Sequence, residues 1–380
     1  MLFTPVTIGS LTLQNRLVRA ACGERRADRA GLVTHEMLAY VDELARGGCG
    51  LIILGHGYVR RDGRLTDNET GLDSDDQVSR LSLVADQIRA GGAKAVIQIS
   101  HGGAQCRPSV IETTPVSPSG VEVRKTKVVP RILESDEIVE LVSDFAAAAG
   151  RVKDAGFDGV QIHAAHGYLI TQFLSPASNL REDEWGGSPE KRFHFLSTLI
   201  GAVQERVGDD FPVLIKLNLD DCIPKGIPLS EALNVASAVS DLGIVAIEVS
   251  GGTVDSERGA ARKGITAGKQ EAYFRSMARE VKGMVACPVI LVGGLKSMPV
   301  INDCLESGDA DLVALGRPLI REPRLPLDWL DGRDTPADCA SCNRCALYKD
   351  RPLRCETLLL EQEQAEKERE KEKDKEVEEV

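Results

Sequence analysis

Residues 146–169 read AAAAGRVKDAGFDGVQIHAAHGYL. The opening part ends an amphipathic run, Glu137–Ala155, that stops at Gly156, where a missing Cβ lets the chain turn out of a helix. The next segment, Gly159–His163, is short and almost wholly apolar. A strand of that kind is buried on both faces, and such strands belong to parallel sheets covered by helices. Two histidines and a tyrosine come straight after it.

The same couplet recurs along the chain. Strands are predicted at Leu17–Ala21, Gly50–Gly55, Ala95–Ser100, Gly159–His163, Val213–Asn218, Ala246–Ser250, Val289–Val292 and Leu312–Leu315. Between them lie helical patterns at Glu36–Arg46, Gln77–Ala90, Glu137–Ala155, Pro189–Val207, Ser230–Leu242, Glu271–Met284 and Met298–Glu306. Ser135 with Asp136 and Glu137, Ser188-Pro189 and Ser230-Glu231 read as helix starts; Gly91, Gly156, Gly243 and Gly308 read as stops. Eight such units over roughly 315 residues predict an α/β fold of the closed (β/α)8 TIM-barrel kind. The open doubly wound alternative would want G-x-G-x-x-G after the first strand. Residues 22–31, CGERRADRAG, lack it.

The chain divides into three segments: a barrel over 1–332, a cysteine-cluster extension over 333–357 and a charged low-complexity tail over 358–380. The tail reads as a solvated helix or as disorder and is assigned no function. Two connections are long, 101–134 and 164–187. The first contains TTPVSPSG and no clear helix; connections of that length usually serve a site.

Of the 380 residues 42% are hydrophobic and 27% charged, as expected of a globular chain. The net charge of −12 argues against nucleic-acid and anionic-membrane partners. From Glu361 onward there are 10 acidic and 5 basic residues, so the tail carries five of those twelve negative charges. No stretch is long and apolar enough to span a membrane, and MLFTPVTIGS does not read as a signal peptide. Cys22, Cys49, Cys106, Cys222, Cys287 and Cys304 are scattered singly, which suits a reducing cytoplasm. Cys339, Cys342, Cys345 and Cys355 cluster and read as a metal site rather than a disulfide framework.

In a barrel of this kind the active groups stand at the C-terminal ends of strands. There the sequence offers Gln98 and His101, then His163, His166 and Tyr168, then Lys216, then the turns Val292–Gly294 and Leu315–Pro318. Two imidazoles can donate to one carbonyl oxygen, and a phenol beside them can give a proton to carbon. Gly294, Gly316 and Arg317 suit a phosphate, since glycine lets backbone N–H groups come close and arginine clamps oxygens. Lys216 has three readings: an ion pair with a core carboxylate, a cation opposite an electron-accepting ring, or the Schiff-base lysine of a lyase.

These residues resemble the old yellow enzyme group of NADH:flavin oxidoreductases. The likeness runs from LFTPVTIGSLTLQNRLVRAA through VIQISHGG and GFDGVQIHAAHGYLITQFLSPASNLREDEWGGSPEKR to VGGL and LGRPLIREP. It implies an FMN-dependent enzyme that draws hydride from NAD(P)H and reduces the C=C bond of an enone or enoate. It implies that Ala20, Ala21 and Cys22 border the flavin ring, that Gly55 and Gln98 contact it, and that Lys216 faces its N1 and C2 carbonyl. Gly294, Gly316 and Arg317 would hold the phosphate, His163 and His166 the substrate carbonyl, and Tyr168 would protonate the α-carbon. Relatives often carry Thr or Cys where Gly23 stands, bonding the flavin C4 carbonyl, and their H-A-G-R becomes His101-Gly102-Gly103-Ala104 here. The spacing C-x2-C-x2-C-x9-C is similar to the cluster ligands of 2,4-dienoyl-CoA reductase and trimethylamine dehydrogenase. It implies a [4Fe–4S] centre or zinc, or a remnant without either. A homo-oligomer, or a non-catalytic flavin subunit serving an electron-transfer partner, remains an alternative expectation.

Overall fold

Eight parallel strands close into a barrel in the computed structural model, which describes residues 1–347 and 350–378. They are β1 (Leu17–Arg19), β2 (Leu51–Tyr58), β3 (Lys94–Ser100), β4 (Gly159–Ala164), β5 (Val213–Asn218), β6 (Ile247–Ser250), β7 (Val289–Val292) and β8 (Leu312–Leu315). Each pairs with its sequence neighbours, and β8 pairs with β1. The strands fall where the apolar runs predict them, with one consequential difference. β2 continues past Gly55 to Tyr58, through a register shift against β3 between Leu54 and Gly57.

Side-chain alternation gives the barrel two cores. Ile215, Leu217, Ile247, Val249, Val160 and Ile162 face outward and pack under the helices. Val18, Ile53, Val96, Leu214, Ala246 and Ile290 face inward and form a separate interior cluster. That cluster is closed from below by an antiparallel hairpin, Val6–Ile8 with Leu11–Leu13, whose Ile8, Leu11 and Leu13 belong to it. Going up the inner face, every second residue turns polar: Val96 gives way to Gln98, Leu214 to Lys216 and Asn218, Ala246 to Glu248 and Ser250. The chemistry therefore starts halfway up the barrel.

The helices are α1 (His35–Ala45), α2 (Val78–Ala90), α3 (Ser135–Asp154), α4 (Pro189–Val207), α5 (Leu229–Asp241), α6 (Arg275–Lys282) and α7 (Met298–Glu306). Their starts are local chemistry. Thr34 accepts the Met37 N–H at the head of α1, and Ser188 accepts the Lys191 N–H at the head of α4, with Pro189 first in the helix. Three expected starts shift, and α5 is one of them: it begins at Leu229 after Pro228, so Ser230 is already helical. The cap of α3 is Glu134, whose N–H donates to Glu137 Oε2 at 2.8 Å, and Ser135 is already helical. α6 begins four residues after Glu271, because that carboxylate accepts instead from the Lys296 and Ser297 N–H groups, at 2.6 and 3.0 Å. The loop 101–134 does hold one helical turn, Pro108–Ile111, and 164–187 holds Leu169–Leu174, all six residues of which are buried. The charged tail is a helix, Glu356–Glu378. Among the described residues no helix is long and apolar enough to cross a membrane.

Candidate active site

β4 delivers His163 to the open end of the barrel, and the turn after it places the other two residues. His166 sits at φ 64° and Gly167 at φ 76°, so the chain doubles back before Tyr168, which precedes the buried helix Leu169–Leu174. Two glutamines hold that turn: Gln105 donates to the His166 carbonyl and Gln172 to the Gly167 carbonyl, both at 2.8 Å. The His163 ring ends 5.0 Å from that of His166, nearly perpendicular, and 4.7 Å from that of Tyr168. His166 Nε2 lies 2.8 Å from the Ser250 hydroxyl.

Three hollows with shared walls meet around this cluster. The innermost, about 150 Å³, is lined by Ala20, Ala21, Cys22, Lys216, Gly294, Gly316 and Arg317, with His166 at its edge. Tyr168, Cys22 and Arg317 border a second of about 310 Å³. His166 and Tyr168 border a third of about 820 Å³, whose rim carries Lys125, Arg258, Arg262 and Lys263.

Beneath the innermost hollow runs a buried relay of side chains. Gln98 Nε2 donates to Gln161 Oε1 (2.6 Å), and Gln161 Nε2 donates to Glu248 Oε2 (3.0 Å). Glu248 Oε1 stands 2.9 Å from Lys216 Nζ. Lys216 thus bears out the ion-pair reading, and it also lines the cavity where the ring reading would need it. An ammonium held by a carboxylate is a poor Schiff-base nucleophile.

Burial and charge set the protonation states. Desolvation, reinforced by His166, keeps His163 well below the usual imidazole range. Desolvation, reinforced by Lys216, lowers His166 to about 3. Both are neutral near pH 7. The Ala165 N–H donates to His163 Nδ1 at 3.2 Å, so the ring proton of His163 is on Nε2. Desolvation and the nearby Glu69 hold the Tyr168 phenol above its ordinary value, protonated.

Other expected residues take different places. Gly55 packs against the Cys22 carbonyl and the Glu24 carboxylate, and its N–H donates to Glu24 Oε1 at 2.9 Å. It supports the cavity wall from behind, and its neighbour His56 reaches the hollow. Glu24 is itself paired with the buried Arg19 at 2.8 Å. Arg317 Nη1 donates to the Arg262 carbonyl (2.7 Å) and to Asn343 Oδ1 (2.6 Å), so the expected phosphate clamp also ties two loops together. His101 is structural: Nε2 meets Asp62 at 3.1 Å and Nδ1 accepts the Gly103 N–H. Sequence reasoning misses His56, Ser250, Glu248 and Lys296 as site residues. His56 is within reach of the strand-end rule once β2 is read past Gly55.

The cysteine segment is part of the site's wall. Arg25 Nη2 donates to the Cys345 carbonyl (3.0 Å), Lys296 Nζ to the Cys339 carbonyl (2.6 Å), and the Leu353 N–H to the Glu24 carbonyl (2.9 Å). Cys339, Cys342, Cys345 and Cys355 line one narrow cleft with Arg317 and Arg321. Cys342 Sγ meets the Thr357 hydroxyl at 3.4 Å and Cys355 Sγ meets Arg321 at 3.9 Å. Among the described residues no three His, Cys, Asp or Glu side chains are arranged to hold a metal ion. No step is routed through the four thiols.

A closed parallel barrel with a glycine-turned, cation-bearing cavity at its open end defines a class of cofactor-binding barrels. Residues 1–335 match the NADH:flavin oxidoreductase / NADH oxidase family, and the chain belongs to it. It is 35% identical over 345 residues to an NADH oxidase of Thermoanaerobacter brockii, covering 90% of this chain and 52% of that protein. It is 33% identical over 323 residues to an NADPH dehydrogenase of Bacillus subtilis, covering 85% and 92%. A solved 2-naphthoyl-CoA reductase, in complex with 2-naphthoyl-CoA, superposes with a TM-score of 0.88 at 29% identity, over 93% of this chain and 56% of that one. The chain thus spans about half the length of the NADH oxidase it matches. The family assignment overturns the Schiff-base lyase alternative. It makes FMN the cofactor, and the residues present fit it. A Cβ on Gly294, which sits at φ 75°, would lie 2.8 Å from Tyr273 Cε1, and one on Gly316 would lie 3.3 Å from Cys22 Sγ, so both turns leave little room for a side chain. Ala20 and Ala21 leave room for a flat ring, and Lys216 and Arg317 supply positive charge.

Proposed function

We propose that this chain is an FMN-dependent NAD(P)H oxidoreductase that reduces the C=C bond of α,β-unsaturated carbonyl compounds. The observation that carries the reading is the clustering of two neutral imidazoles and a protonated phenol where three hollows meet, with His166 on the wall of the cavity that Cys22, Lys216, Gly294 and Arg317 line and Tyr168 on the walls of the two beside it. When bound, FMN supplies hydride acceptance from NAD(P)H and hydride delivery to the electron-poor carbon. The protein's part is polarisation and proton supply. His163 offers its Nε2 proton to the substrate carbonyl oxygen, and His166, steadied by Ser250, offers a second donor. Two donors on one oxygen draw electron density out of the conjugated bond. Tyr168 holds the proton that the α-carbon takes up. Ala20, Ala21, Cys22 and Gln98 border the ring, Lys216 stands where negative charge develops, and Gly294, Gly316 and Arg317 receive the phosphate. Reductant and substrate use the same hollow in turn, which makes the kinetics ping-pong.

The basic rim of the large hollow favours a substrate with an anionic tail. A thioester of the kind named for the 2-naphthoyl-CoA reductase has one. The ten cysteines, none paired in a disulfide, suit a reducing compartment, and the cytoplasm is the placement we infer. The cysteine segment serves this reading as a wall of the site; iron, zinc and sulfide analysis of the purified protein decides whether it carries a centre.

The test is an anaerobic absorption spectrum. The purified protein should be yellow, NAD(P)H should bleach it, and an enone or a short enoyl thioester should restore the colour. A colourless protein, or bleached flavin that neither alkene reoxidises, would overturn the reading.

A further inference from the structure

The open end holds a third imidazole that the proposed chemistry leaves unused. His56 borders the same hollow as Cys22 and Tyr168. Its ring stands 5.7 Å from that of Tyr168, edge-on, and 6.3 Å from that of His163. Nδ1 is 2.7 Å from Glu69 Oε1. Glu69 is buried and fixed in turn, since its Oε2 accepts the Leu65 N–H at 2.6 Å and the Thr66 N–H at 3.3 Å. A carboxylate on one ring nitrogen sets the other: Nδ1 carries a proton toward Glu69, and Nε2 is turned elsewhere. It is turned toward Gly23. A Cβ on Gly23 would lie 3.2 Å from His56 Nε2, tighter than side chains normally pack, and 3.5 Å from its Cε1. The imidazole tip occupies the room that a side chain at position 23 would need, next to Cys22 on the cofactor cavity's wall.

We propose that His56, anchored by Glu69, donates a hydrogen bond to the flavin edge at Gly23 and stabilises the reduced, electron-rich ring. The proposal rests on the flavin reading of the cavity. A donor oriented in advance toward the place where electron density grows needs no reorganisation when the charge arrives. Burial opposes the charged imidazole, but Glu69 outweighs it and holds His56 above its ordinary pKa, with Glu24 adding to that effect and Arg25 opposing it. With Nδ1–H given to Glu69, Nε2 donates from the imidazolium, the form that the buried carboxylate 2.7 Å away favours.

The experiment is the flavin reduction potential of FMN-loaded protein, measured by equilibration with a reference dye. His56→Ala should move the oxidised/reduced balance at least tenfold toward oxidised, a shift of about 30 mV for a two-electron couple, with FMN still bound one per chain. Glu69→Gln should move it in the same direction by less. The double variant His56→Ala/Gly23→Thr opens room for a hydroxyl at position 23 and should recover part of the loss. If FMN binds and the potential is unchanged in both His56→Ala and Glu69→Gln, the proposal is wrong while the flavin reading stands. If the wild-type chain takes up no FMN at all, both fall together.

Discussion

The two ends of this barrel are built on opposite principles. At the closed end Ile8, Leu11 and Leu13 of the hairpin seal an apolar interior of Val18, Leu51, Ile53, Val96 and Leu214. At the open end the barrel strands carry Gln98, Gln161, Lys216 and Glu248, buried as deeply but bonded to one another, with His163 beside them. β5 contains both in six residues: Leu214 points inward below, Lys216 and Asn218 above. Stability has a different source at each end. Below, it is area removed from water, which tolerates any well-fitting apolar side chain. Above, it is mutual satisfaction of polar groups, which tolerates almost no single change.

Four measurements put that contrast at risk. The largest effect belongs to Tyr168→Phe. It should slow reoxidation of bleached flavin by an enone about 10²–10⁴-fold, in the range typical of a lost general acid. Stopped-flow traces of flavin bleaching by NAD(P)H should be unaffected, since no proton is delivered to carbon in that half. Next comes Lys216→Met. Leaving the Glu248 carboxylate buried without its cation should cost about 3–5 kcal/mol in urea denaturation. Adding Glu248→Gln should restore much of that stability without restoring the potential of the flavin. If Lys216→Met alone unfolds no more easily than wild type, the polar end is not self-bonded in the way described.

At the closed end, Leu13→Ala should cost about 3 kcal/mol through the cavity it leaves, while FMN content and bleaching rate stay at wild-type values. A loss of flavin in that variant would mean that the two ends are not separable. The smallest effect is with pH. Both mouth imidazoles are held below the ordinary value by burial, and His166 reaches about 3. Below about pH 6.5 the unfolded chain takes up protons that the folded chain refuses, so stability is full above that value and falls as the pH drops toward 3. The urea midpoint should decline between pH 7 and pH 5, and a His163→Gln/His166→Gln protein should decline less steeply.

The two ends are also unequally legible. Apolar strands of four to six residues separated by helical periods locate all eight barrel strands, because burial on both faces writes itself into composition. At the mouth, residue type and strand-end position are enough for His163, His166, Tyr168 and Lys216. Partners are not found that way. Glu248 reads only as a strand residue, and nothing in the chain marks that it stands opposite Lys216, 32 positions earlier, in the next strand's register. His56 escapes because Gly55 looks like a strand end, whereas the irregular pairing after Leu54 carries β2 on to Tyr58. Glu271 looks like the first residue of a helix and proves to be a side chain that fastens the turn after β7. Each miss concerns a long-range contact, which local pattern does not encode.

The left-handed backbone at His166 sets folding against function. A β-carbon there is held where glycine would rest at no cost, an energy on the order of 1 kcal/mol or more taken out of folding. Glycine would relieve that strain, though the greater freedom it loses on folding takes back part of the gain. If His166 has the role proposed above, the position is one where robustness and turnover pull apart, since glycine there would give up the second carbonyl donor.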